Sequence, residues 1–158
     1  MSADELTYEP AIPGDVAWLT DTYIAALGEA IKQARGEWNE TRERALFLSQ
    51  LRLADTLVIC RRSERIGFYS ASHEPDHLFL QALCILPRYQ NSGYGEEIMR
   101  ALARRSGKLP IRVQALKSSP PARRFYERLG YRWVSDSEYH HLLEWTRGPV
   151  RAGKRQTD

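Results

Sequence analysis

Apolar and polar positions recur along the chain with two periods, and the switches between them divide it into elements. LTYEPA alternates as a first strand. PGD offers a turn and a helix start, and in VAWLTDTYIAALGEAIKQA residues Trp18, Leu19, Tyr23, Ala26, Leu27, Ala30 and Ile31 return at helical spacing until Gly36 ends the helix. A second helix is predicted from about residue 39, capped by Asn39 or Thr41. Ala45, Leu46, Leu48, Leu51 and Leu53 form its apolar stripe among Arg and Glu. TLVICRR and IGFYSAS, rich in branched and aromatic residues and joined by SER, read as an antiparallel hairpin.

HLFLQALCIL is the next strand and stops at Pro87, which has no N–H to give to a ladder. The loop RYQNSGYG leads into the helix EEIMRALARR, whose Ile98, Met99 and Leu102 share a face. PIRVQALK is a buried strand, and SSPPARRFYERLG a helix opened by Ser and Pro and stopped by Gly130. YRWVSD and YHHLLEW close the series as a strand pair. The order is strand, two helices, three strands, helix, strand, helix, two strands, which predicts an α/β (α+β) fold with a mixed sheet and helices on its faces.

Composition narrows the classes. A chain of 158 residues with 42% hydrophobic residues has the size of one globular domain, set here at 1–146, and it shows no internal repeat. The net charge of +3 invites a nucleic-acid reading, but Arg147, Arg151, Lys154 and Arg155 against Asp158 account for the whole surplus. The basicity therefore belongs to a Gly- and Pro-containing tail, 147–158, expected to be flexible, and nucleic acid is not an expected partner. No apolar run approaches the roughly 20 residues that span a bilayer, and MSADELTYEP has neither a basic nor an apolar leader segment. The expectation is a soluble, cytoplasmic protein without membrane contact. Cys60 and Cys84, each inside an apolar run, suit buried thiols in a reducing compartment and have no metal-ligand spacing.

Chemistry is most legible at Gln90-Asn91-Ser92-Gly93-Tyr94-Gly95, between a buried strand and an amphipathic helix. Gly93 and Gly95 permit close approach of backbone to a ligand, and the unpaired amides of a helix start favour a pyrophosphate. The plain alternative is an ordinary strand-to-helix turn. The hexapeptide lacks the third glycine of a dinucleotide fingerprint and the Gly-Lys-Ser/Thr of a P-loop.

Two motifs resemble the GNAT superfamily of N-acetyltransferases, which use acetyl-CoA. LCILPRYQNSGYGEEIMRAL is similar to that family's strand, Gln/Arg-x-x-Gly-x-Gly/Ala loop and helix. SSPPARRFYERLGYR is similar to its later helix, with an Ala, an aromatic-Tyr pair and a Leu-Gly-aromatic stop. The resemblance runs over about residues 6–146 and is strongest at 78–133. It implies a mostly antiparallel sheet, splayed between the strands near 78–86 and 110–116. The pantetheine arm would pair with backbone at Leu83, Cys84 and Ile85, and the pyrophosphate would rest on Gln90 through Gly95. An N–H at Ile85 or a neighbour would meet the thioester oxygen, and Ser119 and Arg123 join the cofactor set. Tyr126 matches the general acid that protonates the departing thiolate. The reaction implied is direct attack of a primary amine, of a small molecule or a peptide, through a tetrahedral intermediate. A homodimer is a common state of similar proteins.

Two positions depart from the family. Its usual Asn falls on Ser119, which would cap the helix instead, and the glutamate that some members carry on the fourth strand falls on Phe79. Alternation places His77, Phe79 and Gln81 on one face, so His77, or a water held by Gln81, is the candidate proton acceptor; a structural His77 is the alternative. For the amine, Trp38 with Glu37 and Glu40 offers carboxylates beside an aromatic wall, and Phe79 and His141 complete the expected acceptor set. A capping cluster with a packed Trp explains the same residues. No metal or hydrolase motif is present, and nothing basic adjoins Cys84 to make it a nucleophile. The missing base and Ser119 keep open a second reading, a non-catalytic acyl-CoA-binding or sensor module on the same scaffold.

Overall fold

The computed structural model describes residues 5–147. Seven strands and four helices follow the predicted order: β1 (Leu6–Pro10), α1 (Val16–Arg35), α2 (Glu40–Gln50), β2 (Thr56–Arg61), β3 (Glu64–His73), β4 (Leu78–Ile85), α3 (Tyr94–Ser106), β5 (Ile111–Leu116), α4 (Pro120–Arg128), β6 (Arg132–Asp136) and β7 (His140–Trp145). They form one sheet in the order β1-β2-β3-β4-β5-β7-β6. Every neighbouring pair is antiparallel except β4 and β5, which α3 connects as a crossover.

Strand alternation feeds two cores, one on each face. Leu80, Val113 and Leu143 meet Ile98, Met99 and Leu102 of α3 and Tyr126 of α4 on one side. On the other, Val58, Phe68 and Cys84 meet Leu19 of α1 and Phe47 of α2. Each fully buried Leu, Ile or Phe contributes about 2 kcal/mol from its removal from water. Both thiols are buried and unpaired.

Local signals explain the helix ends. Gly36 adopts φ 77° and its N–H reaches Lys32 O, while Asn39 Oδ1 accepts from the Arg42 N–H at 3.0 Å, making Asn39 and not Thr41 the cap. Gly130, at φ 97°, lets the chain turn out of α4 into β6. Ser119 occupies the cap position of α4 without a side-chain capping bond, and Pro120 and Pro121 open the helix. The predicted stripe on α2 is corrected: Leu46 and Leu48 are 38% and 47% exposed, and the inward row is Glu43 and Phe47, one turn apart. A glutamate faces inward because Arg35 and Arg42 both pair with it.

The sheet opens at a definable point. β4 and β5 pair only from Leu78–Leu80 with Ile111–Val113. At the same level the β3 register steps from Ala71↔Leu80 to Ser70↔Ala82, leaving Gln81 without a partner. That bulge bends β4 away from β5, and Gln81 and Ala82 both border the cavities on the α1–α2 side.

Of the residues assigned to the tail, Arg147 donates to Gly107 O at 2.8 Å and Ala103 O at 2.5 Å and covers the Trp145 ring; the rest, 148–158, lie outside the described residues. Among the described residues no helix is long and apolar enough to cross a membrane.

Candidate active site

Three cavities share walls and together run through the opening between β4 and β5. On the α4 side a cavity of about 610 Å³ is bordered by Leu83, Ile85, the loop residues Gln90, Asn91, Gly93 and Gly95, and Ser119, Phe125 and Tyr126. A narrower one of about 230 Å³ in the middle shares Leu83, Ser119 and Tyr126 and adds Arg35, Glu43, Gln81, Gln114, Tyr139 and His140. A third, of about 680 Å³ under α2, shares Arg35, Glu43, Gln81, Gln114 and His140 and adds Phe47, Ser70 and Phe79.

Backbone shapes the first cavity. The Leu86 N–H bonds Ile66 O at 2.8 Å, and the Cys84 carbonyl crowds Gly67 so closely that it would overlap an added Cβ, so both groups face β3. Strand alternation then turns the polar groups of Leu83 and Ile85 to the open side. Cys84 is therefore corrected: its backbone is spent inside the sheet, and its side chain is fully buried. Gln90 Nε2 donates to Ile85 O at 2.8 Å and fixes the loop to the strand end. Asn91 at φ 60° and Gly93 at φ 89° turn the chain so that α3 begins facing the cavity, and Gly95 leaves room for Phe125, whose ring lies 3.1 Å from the place of an added Cβ. Ser92 bonds only Gln90 O within the loop, and Tyr94 packs edge-on to Tyr89, ring centres 6.3 Å apart. Arg123 pairs with Glu127 at 3.0 Å, while Arg124 and Arg128, one turn apart, border the cavity.

Tyr126 is 7% exposed and borders both the first and the middle cavity. Its ring packs on Phe125 and Tyr131, at 5.1 and 5.6 Å between centres. Burial, and then the neighbouring Cys84, push its phenol above the ordinary tyrosine range, so it holds its proton at neutral pH. Burial likewise keeps Cys84 a thiol.

The acceptor side departs from the sequence reading at most positions. His77 sits at the far end of β4, bonded to Asp76 at 2.7 Å and edge-on to Phe79, and borders none of the three cavities. Glu37 pairs with Arg42 at 3.2 Å and Glu40 with Arg44 at 2.8 Å, and Trp38 lies against Gly28. These three form the capping cluster with a packed Trp. His141 is also corrected: it stands opposite Ala115, on the α3–α4 side with Leu143, and bonds Asp136 at 2.7 Å. His140 takes the other face and borders the middle and third cavities. Only Phe79 and Gln81 of the expected acceptor-side residues stand in those walls.

The residues missed are Arg35, Glu43, Gln114, Tyr139 and His140. Glu43 is buried at 3% exposure, pairs closely with Arg35 and reaches Arg42 at 3.4 Å; the Arg35 guanidinium lies 5.3 Å over the Tyr139 ring. Burial, and then the Arg35 charge, lower the His140 pKa below the ordinary histidine value. Ser118 Oγ donates to Ala30 O at 2.6 Å and ties the β5–α4 loop to α1 beside the middle cavity. Two signals were readable: Gln114 is a polar residue at the centre of a strand that otherwise reads as buried, and Glu43 stands one turn before Phe47. Among the described residues no group of three or more His, Cys, Asp or Glu could hold a metal ion.

The mixed sheet thus parts between its two parallel strands, with a glycine loop and a helix start at the mouth. The chain shares its fold with the PaiA N-acetyltransferase of Thermoplasma acidophilum, solved with coenzyme A, at TM-score 0.65 and 16% identity over 90% of this chain and 99% of that one. An acetyltransferase of Thermus thermophilus superposes at TM-score 0.70 with 17% identity, over 92% and 99%. YjaB of Escherichia coli does so at 0.69 with 17% identity, over 89% and 95%. Sequence comparison with curated proteins finds no significant match. The family model of the acetyltransferase (GNAT) domain matches residues 52–133, just over half of the chain. The protein belongs to the GNAT acetyltransferase family.

Proposed function

We propose that the protein is an N-acetyltransferase that takes its acetyl group from acetyl-CoA and delivers it to a primary amine by direct transfer. The observation that carries this reading is the continuity of the three cavities, with Tyr126 at the junction of the first and the middle one. The first cavity fits the donor: the open edge at Leu83 and Ile85 suits an amide-rich arm, and the amides from Gln90 to Gly95 suit a pyrophosphate. Arg124 and Arg128 supply positive charge at that mouth, offsetting Glu96. Coenzyme A bound to the Thermoplasma PaiA protein supports the same ligand class here.

The thioester supplies an activated acyl group. Backbone N–H groups at the open edge of β4 stabilise the oxyanion, and Tyr126, a neutral phenol in a buried position, donates its proton to the leaving sulfur. Ser119 borders the donor and middle cavities, while Phe79 and Gln81 stand on the amine side. We place the enzyme's whole domain at 1–146.

Calorimetric titration of acetyl-CoA, with ATP as comparison, tests the donor site: saturable binding that ATP does not reproduce is expected. Release of CoA thiol is then followed with ethanolamine, phenethylamine, free amino acids and a tetrapeptide with a free N-terminus. Thiol release dependent on one of these amines supports the transferase; binding without release by any of them supports the acyl-CoA sensor.

A further inference from the structure

We propose that His140 accepts the proton of the incoming amine, in a cavity wall it shares with Arg35 and its partner Glu43. This rests on the transferase reading above. On β7 the register sets His141 against Ala115 in the core, so His140 takes the opposite face, where it borders the two cavities that Gln81 and Gln114 also line. It lines the middle cavity together with Tyr126, the donor of the second proton. Its main-chain groups are engaged by Ser137, which leaves the strand end anchored; among the described residues its ring makes no hydrogen bond.

The charged and titratable groups that share cavity walls with His140 are Arg35 and Tyr23 from α1, Glu43 from α2, Arg52 from the α2–β2 connection, Tyr126 from α4 and its neighbour Tyr139. Burial and the Arg35 charge keep its imidazole neutral near pH 7. A neutral imidazole has a lone pair for an ammonium proton. The N–H bond of the ammonium breaks and an N–H bond forms on His140. The freed lone pair forms the C–N bond of a tetrahedral adduct; as the adduct collapses its nitrogen gives a second proton to solvent in the cleft, the C–S electrons pass to sulfur, and Tyr126 gives sulfur its proton. The imidazolium proton returns to the tyrosinate through solvent in the cleft, which restores both groups.

The test uses whichever of the amines above releases thiol fastest. His140→Gln is expected to lower kcat/KM about 100-fold at pH 7, with the deficit shrinking as pH rises and free amine accumulates, while the Kd of acetyl-CoA stays within about twofold. In the resting protein, NMR of the histidine ring should give His140 a pKa below about 6.5, and Arg35→Gln should raise it. His141→Gln should leave the pH profile as it is. A His140→Gln enzyme with the parent's rate and profile, or a His140 titrating at or above the free-histidine value, would overturn the proposal and leave the transferase reading standing. No thiol release by the parent protein would remove both.

Discussion

The two sides of the opening are built differently. The donor side is made of main chain: the edge of β4, the left-handed residues Asn91 and Gly93, and the start of α3. The acceptor side is made of side chains brought from α1, α2, β5 and β7, with Gln114 and His140 far in sequence from Arg35 and Glu43. A main-chain site needs particular backbone angles, which Asn91 and Gly93 supply here. A side-chain site needs only that distant elements pack in one register, so its composition can vary while the fold persists. In the proposed reaction the donor meets chiefly one main-chain segment and the acceptor a combination of side chains.

The contrast can be broken in graded ways. Tyr126→Phe removes the donated proton and should cut kcat by about 100-fold or more, with the Kd of acetyl-CoA unchanged by calorimetry; an unaltered kcat would take Tyr126 out of the reaction. Glu43→Gln leaves the Arg35 charge without its partner, and because Arg35 keeps 29% exposure the cost should be roughly 2–3 kcal/mol in chemical denaturation, below that of a fully buried pair. The amine KM should rise and donor binding persist. If donor binding falls equally, the two sides are not separable. On the main-chain side, Gly95→Val forces Phe125 from a contact at 3.1 Å and should weaken acetyl-CoA about tenfold, leaving the amine KM unmoved at saturating donor.

The smallest effect is in alkali. Tyr8 and Tyr23 are pushed up to about 12, in both cases chiefly by burial. A raised folded-state pKa means stability that is complete below pH 10, the free phenol's value, and is lost as pH climbs through about 12. Ultraviolet titration should show these phenols ionising late, together with unfolding; ionisation near pH 10 with the fold intact would contradict their burial.

The order of elements and the donor loop were legible because they rest on local rules. Gly36 and Gly130 end helices by their φ, Asn39 caps by a bond three residues away, and Pro87 stops a strand. The acceptor side followed no such rule. On α2, Leu46 and Leu48 outscore Glu43 in any apolar count, and only the arginines at 35 and 42 reverse the preference. On β7, alternation separates His140 from His141, but which faces the cleft is decided by the pairing of His141 with Ala115 across the sheet. Cys84 was misplaced for a similar reason. Its neighbours face the opening and it does not, a parity fixed by the bonds of β4 to β3.

Gln81 makes β4 one residue longer than the stretch of β3 it lies against. Such a surplus is a matter of length and not of identity: exchanging the side chain leaves the count as it was, whereas deletion of a single codon would bring the two strands back into step and let β4 zip further along β5. The opening thus depends on one surplus residue in β4. Substitution at Arg35 or Glu43 would change what lines the gap, while the gap itself would change only when the strand is lengthened or shortened by a residue.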